Sequence, residues 1–136
     1  MRVYCKLEPQ HEKYIMPSVR KWLWVVPSWC HSLRLEYSPG LEAAEAACTP
    51  DTKYRRAIVE FAPSFFSGTA EEQERLIVHE LLHLALAPLT EFVDDALDRL
   101  EGDKALLQWL ADQWEERSEG VVEDLRELVF QKDKSE

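Results

Sequence analysis

Two histidines and a glutamate near the middle of the chain have the residue types and spacing of a metal-dependent hydrolase. They form the motif His79-Glu80-Leu81-Leu82-His83, which is H-E-x-x-H. Residues four apart lie on one face of an α-helix, so His79 and His83 can supply two ligands of a tetrahedral zinc site. Glu80 lies about 100° further round the helix, where its carboxylate can act as general base toward a water that the metal activates. The motif therefore predicts Zn²⁺ and hydrolytic chemistry.

Three fixed positions in five recur by chance in many proteins, so the motif alone is weak support. The residues that flank it strengthen the prediction. The neighbouring positions are uncharged: Leu76, Ile77, Val78, Leu81, Leu82, Leu84 and Ala85. Such a segment predicts a buried helix, in which each polar group without a partner costs about 1–3 kcal/mol. The alternative is a surface helix with a solvated glutamate and histidines, and the apolar positions on all sides of the helix argue against it.

Signals for both ends of this helix are present in the sequence. Thr69 and Glu72 have the spacing of a capping box, in which the threonine is the N-cap. Pro88 disfavours the α conformation at the residue before it. The predicted active helix therefore runs from about Ala70 to Ala87.

The third zinc ligand has to be a residue other than histidine. A catalytic zinc site has three protein ligands, and the remaining histidines, His11 and His31, both precede the motif. Leu86 and Leu89 stand where metzincins have Gly and His, which excludes that subclass. A carboxylate from a later helix is therefore expected. The candidates are Glu91, Asp94, Asp95, Asp98, Glu101, Asp103, Glu115, Glu116, Glu119, Glu123 and Asp124.

Helical geometry reduces this set. A final helix is predicted from about Glu119, with Leu125 at the centre of its buried face. At about 100° per residue, Glu123 is about 160° from that centre and faces water. Glu119 is about 120° away, at the border of the buried face and at the predicted start of the helix. Glu119 is the leading candidate, and Glu115 and Asp95 remain open.

The chain resembles the zincins in their smallest form. IVHELLHLALAPL, followed later by EGVVEDL, is similar to a family of short bacterial and phage metallopeptidases, and more distantly to the ImmA/IrrE-like enzymes. The resemblance covers roughly residues 54–130. It implies zinc bound by His79 and His83, Glu80 as base, and a third ligand at Glu119, since that family's glutamate precedes a similar Val-Val and Leu.

Composition limits the remaining possibilities. A chain of 136 residues predicts a single domain, residues 1–136, and a net charge of −10 argues against nucleic-acid binding. The apolar runs are too short or interrupted to predict a membrane span, and Met1 to Leu7 has no signal-peptide h-region. Cys5, Cys30 and Cys48 form no Cys-x-x-Cys motif, so they are read as reduced thiols in the cytoplasm.

The pattern along the chain predicts an α+β fold of the minimal zincin type. A strand is expected at residues 2–7 and a helix at 10–24, where Pro17 obscures the start. Alternation predicts a strand at residues 32–38 and two antiparallel strands within 43–62, giving a small antiparallel sheet. The active helix and C-terminal helices follow, with a frayed tail at residues 131–136.

The functional prediction is a zinc metallopeptidase that acts on a protein or peptide. Its rival is a non-enzymatic, metal-stabilised zincin-like module that binds a partner protein. A weaker rival is a helical interaction protein without a metal. The sequence leaves the oligomeric state open.

Overall fold

The computed structural model describes residues 1–135, which form four strands and three α-helices and confirm the α+β class. The elements are β1 (Arg2–Lys6), α1 (Pro9–Trp22), β2 (Ser32–Tyr37), β3 (Ala46–Asp51), β4 (Arg56–Phe61), α2 (Ala70–Arg99) and α3 (Lys104–Ser135), with 3₁₀ turns at Leu23–Val25 and Pro63–Ser67. Contacts divide the chain into two compact units, one of residues 1–85 and one from residue 86 onward. The boundary falls inside α2, and a single domain stays a prediction.

The sheet is mixed, whereas a small antiparallel sheet was expected. Its strand order is β1-β2-β4-β3, and the β1–β2 and β2–β4 pairs are parallel. The predicted antiparallel hairpin is confirmed for β3 and β4, in which Cys48 pairs with Val59. The β1–β2 pair is parallel because α1 connects the two strands, and such a helical crossover joins parallel strands. The β2–β4 pair is parallel because β3, which comes between them in the chain, runs antiparallel to β4 and lies on its other side.

The two faces of the sheet differ, and this sets the core of the first unit. Leu33 and Leu35 of β2 and Ala57, Val59 and Phe61 of β4 are buried on one face. The core also contains apolar residues of α1 and α2, namely Ile15, Val19, Trp22, Ile77, Val78 and Leu81. Alternate residues on the other face are polar and accessible, among them Lys6, Arg34 and Arg56. The motif-bearing part of α2 therefore belongs to the apolar core, as the flanking residues predicted.

Glu74 links α1 to α2 within the first unit. Its Oε1 accepts hydrogen bonds from the Trp22 indole at 2.7 Å and from Lys21 Nζ at 2.9 Å. The Trp22 ring is fully buried, so the bond satisfies an indole N–H that has no access to water. This contact fixes the first third of α2 against α1.

The second unit is a hairpin of the end of α2 and the whole of α3. Trp114 Nε1 donates a hydrogen bond to Thr90 Oγ1 at 3.2 Å across it. The prediction of a separate helix from Glu119 is wrong, because α3 begins at Lys104 and continues through Gly120. A helical glycine costs only about 1 kcal/mol, which a long helix tolerates. The predicted tail is helical as far as Ser135, and residue 136 lies outside the described residues.

The predicted end of the active helix at Ala87 is also wrong, since α2 continues through Pro88 to Arg99. Proline lacks an N–H, so the carbonyl oxygen of Leu84, four residues earlier, loses its usual helical donor. The indole N–H of Trp29 donates to this oxygen at 2.9 Å instead. The side chain of Trp29 thus satisfies the polar group that proline leaves free, and the helix can continue.

By length and composition alone, α2 is also apolar enough to cross a membrane. Among residues 1–135, it is the helix that meets this criterion, with a mean hydropathy of 1.5 over an 18-residue window. Within the protein, 39% of that window is buried, and core helices of soluble proteins meet the same criterion. The expected absence of a membrane span stays a prediction.

We predict that Trp29→Phe lowers the free energy of unfolding by about 1–3 kcal/mol, because the buried Leu84 carbonyl loses its donor. In a Pro88→Ala background the loss should be smaller, since the backbone N–H that this substitution restores can bond to Leu84. Urea denaturation of the four proteins in this double-mutant cycle measures the difference. Equal losses in the two backgrounds would show that Trp29 acts through packing alone.

Candidate metal centre

The capping box fixes the start of α2 at Ala70, nine residues before His79. The backbone N–H of Glu72 donates to Thr69 Oγ1 at 3.2 Å, and the Thr69 N–H donates to Glu72 Oε2 at 3.3 Å. This reciprocal pair is the predicted one. Gln73 Nε2 also donates to the carbonyl oxygens of Phe65 and Gly68, each at 3.2 Å, which ties the preceding 3₁₀ turn to the helix.

His79 and His83 lie together on α2 with their Nε2 atoms 3.1 Å apart. Their ring centroids are 4.8 Å apart, the rings are nearly perpendicular, and both side chains are half-buried. Two nitrogens bound to one tetrahedral zinc at about 2.0–2.1 Å are about 3.3 Å apart, close to the observed separation. The same distance also suits an N–H···N hydrogen bond between the two rings in the absence of a metal. The pair therefore has the geometry of two adjacent zinc ligands.

Glu80 is the charged residue of the core: only 7% of its surface is exposed. Leu81 and Val78 beside it are also buried, which confirms the expectation of a buried motif helix. A carboxylate in such a place is held largely by protein groups, and bulk water contributes little to its solvation. Its position one residue after His79 directs it to a different side of the helix from the two imidazoles.

A thiol that the sequence did not single out lies within electrostatic range of Glu80. Burial raises the pKa of the Cys48 thiol far above its ordinary value, and the negative charges of Glu80 and Cys30 raise it further. Cys48 is therefore a neutral thiol at physiological pH. The feature of the sequence that could have identified Cys48 is its position in β3. It lies two residues after the buried Ala46 and hence on the same face of the sheet.

Glu119, the predicted third ligand, lies in the second unit, whereas His79 and His83 lie in the first. Glu119 is half-buried in the middle of α3, one turn before Val122, which is fully buried. The buried face of α3 is centred nearer to Val122 than to Leu125, so Glu119 owes its position to that face and not to a helix start.

The two competing candidates are in different surroundings. Glu115 and Asp95 are both exposed, whereas Glu119 is half-buried. Glu123 is partly exposed and forms an ion pair with Arg126 one turn away. The role of Glu119 as a ligand stays a prediction.

Comparison of the chain with known protein families, with curated proteins and with solved structures finds no match.

We predict that Glu80→Gln lowers the pKa of the Cys48 thiol, because the substitution removes a negative charge that opposes the thiolate. Burial, the larger cause, remains, so the pKa should stay above its ordinary value. The pH dependence of alkylation, followed at Cys48 by peptide mass spectrometry in metal-free protein, measures this shift.

Cys5 provides the internal control for this measurement. Its pKa is raised by burial and by Glu12, and it should not respond to Glu80→Gln. A pH profile of Cys48 that is identical in the two proteins would mean that the Glu80 carboxylate is uncharged or shielded from the thiol.

Proposed function

We propose that this protein is a zinc-dependent hydrolase, and specifically a metallopeptidase, with His79, His83 and Glu119 as metal ligands and Glu80 as general base. The observation that carries the proposal is the pair of half-buried histidines, with Nε2 atoms 3.1 Å apart, next to the buried Glu80 on the same helix turn. A helix that buries a carboxylate and half-buries two imidazoles without using them would lose stability, since buried polar groups are costly.

The donor set is the one that zinc prefers in hydrolytic sites. Two imidazole nitrogens and one carboxylate oxygen leave a fourth position open for water or substrate. A bound zinc ion would supply Lewis-acid activation of that water and of the scissile carbonyl. Neutral imidazoles are required for ligation, so the site should lose metal affinity at acidic pH.

Glu80 performs the proton transfers in this mechanism. Its carboxylate accepts a proton from the attacking water and then donates it to the leaving amine nitrogen. The surrounding leucines and valines exclude bulk water, which strengthens the electrostatic interactions of the carboxylate. Glu80 is kept out of the ligand set because it lies on a different side of the helix from His79 and His83.

The substrate class that fits this chemistry is a protein or peptide in the cytoplasm. An amide carbonyl is the electrophile that a zinc site with a glutamate base is suited to attack. The net charge of −10 disfavours nucleic acid as a substrate or partner.

We predict that the wild-type protein, purified without a His tag, binds one zinc ion per chain, and that His83→Ala and Glu119→Gln each abolish stoichiometric binding. Elemental analysis after dialysis against trace zinc measures the content. Glu115→Gln is the matched control, because Glu115 is an exposed carboxylate on the same helix, and it should bind zinc like wild type. Unchanged zinc content in Glu119→Gln would remove Glu119 from the ligand set.

We predict that Glu80→Gln retains zinc and lowers hydrolysis of a fluorescent casein substrate by at least about 100-fold, the usual contribution of a general base. Glu71→Gln, an exposed change in the first turn of α2, should leave the rate unchanged. Full activity in Glu80→Gln would refute the mechanism. Stoichiometric zinc without hydrolysis in wild type, across casein and peptide libraries, would favour the metal-stabilised binding module.

A further inference from the structure

The face of the sheet opposite to the core carries a cluster of positive charge. Side chains alternate between the two faces along β1, β2 and β4, and those of Lys6, Arg34 and Arg56 point away from the core. Together with Tyr4 they line one cavity of about 280 Å³ in the first unit, which we call the sheet pocket. The remaining residues that line it are uncharged: Ser32, Ala57 and Ile58.

Three cations without a carboxylate among them stand out in a chain of net charge −10. Residues 1–85, which form the first unit, hold 10 basic and 11 acidic residues, so the positive charge of the sheet pocket is local. Within residues 1–135, Lys6 has no ion-pair partner. Like charges that lie together repel each other, and an anion bound between them removes this repulsion.

The two arginines are each held through one nitrogen of the guanidinium group. Arg34 Nε lies 3.3 Å from Glu36 Oε1, and Arg56 Nε donates a hydrogen bond to Asp51 Oδ2 at 3.2 Å. The guanidinium carbon of Arg56 also lies 5.2 Å from the centre of the Tyr54 ring. Since the N–H donors of a guanidinium group are spread over three nitrogens, the terminal nitrogens of both arginines can bind a further acceptor.

The donors of the sheet pocket suit a phosphate group better than a carboxylate. A phosphate monoester carries a charge of about −1.5 to −2 at pH 7 and has three strong acceptor oxygens. A carboxylate carries a single charge and has two oxygens. Besides the three cations, the hydroxyl groups of Tyr4 and Ser32 are available as donors, and guanidinium groups bind phosphate oxygens in pairs.

Carboxylates on the same face of the sheet limit the size of the anion. Glu36 is in register with Lys6 and Glu60 with Glu36, so two acidic residues adjoin the sheet pocket along one row. Asp51 is the β3 partner of Arg56 and adjoins it on another side. A nucleic acid lying across the sheet would meet these carboxylates with its phosphates, whereas a compact anion would not.

We infer that the sheet pocket binds a small phosphate-bearing molecule whose organic part packs against Tyr4. The Tyr4 ring is 51% exposed and lies beside the cations, where it can stack on an aromatic group. A volume of about 280 Å³ is close to the lower end of small-molecule sites, about 300 Å³. The helices α1 and α2 pack on the other face of the sheet, so the inference does not depend on the metal site.

Isothermal titration calorimetry of the full chain with inorganic phosphate, phenyl phosphate and benzoate tests the inference. We expect phenyl phosphate to bind about 2–10-fold more tightly than inorganic phosphate, the contribution of an aromatic pair, and benzoate to bind more weakly than either. Arg34→Gln and Lys6→Gln should each weaken phenyl phosphate binding at least about 10-fold, through the loss of a hydrogen bond between charged groups.

Arg2→Gln is the matched control. Arg2 lies on the same strand and the same face as Lys6 but does not line the sheet pocket. The substitution removes one positive charge, as Lys6→Gln does, and should leave phenyl phosphate binding as in wild type. Circular dichroism confirms that each variant is folded.

Four results would overturn the inference. The first is no saturable binding of phenyl phosphate to wild type, and the second is binding that persists in both Arg34→Gln and Lys6→Gln, which would place the phosphate elsewhere. The third is an equal loss in Arg2→Gln, which would reduce the effect to overall charge. The fourth is tighter binding of benzoate or of a single-stranded oligonucleotide than of phenyl phosphate. None of them bears on zinc content or hydrolysis, so failure here and failure of the proposed function are distinguishable.

Discussion

The continuity of α2 across Pro88 is the constraint that connects the two units of the chain. The part of α2 before the proline carries the H-E-x-x-H motif, and the part after it forms half of the hairpin. Proline in a helix interior commonly costs about 3 kcal/mol, partly through the lost hydrogen bond. The Trp29 indole bonds to the Leu84 carbonyl and replaces that bond from outside the helix. A residue in the loop before β2 thus allows one helix to serve two units.

Burial of Glu80 sets the chemical character of the site. The sequence surrounds this carboxylate with apolar residues, and the structure leaves little of its surface to water. A buried charge is stable only where protein groups or a metal compensate it, and removing such a partner is strongly destabilising. Its charge is also a cause, second to burial, of the raised pKa of the Cys48 thiol in β3.

The sequence predicted those features that depend on local spacing. The capping box at Thr69 and Glu72, the burial of Leu81 and the β3–β4 hairpin each follow from a pattern within a few residues. Prediction from the sequence failed where a residue far away in the sequence alters the local structure. A proline commonly ends a helix, but α2 continues through Pro88, and Trp29 bonds to the Leu84 carbonyl 55 residues later in the sequence. The parallel pairing of β1 with β2 is similarly a property of the crossover, not of either strand.

For Glu119, one feature could be predicted from the sequence and another could not. Its place at the border of a buried face could be derived from the pattern of apolar residues, although that face is centred nearer to Val122 than to Leu125. The start of its helix could not, because Gly120 resembles a break and α3 continues through it. A glycine inside a helix costs only about 1 kcal/mol, so a single one does not end a helix whose neighbouring turns are formed.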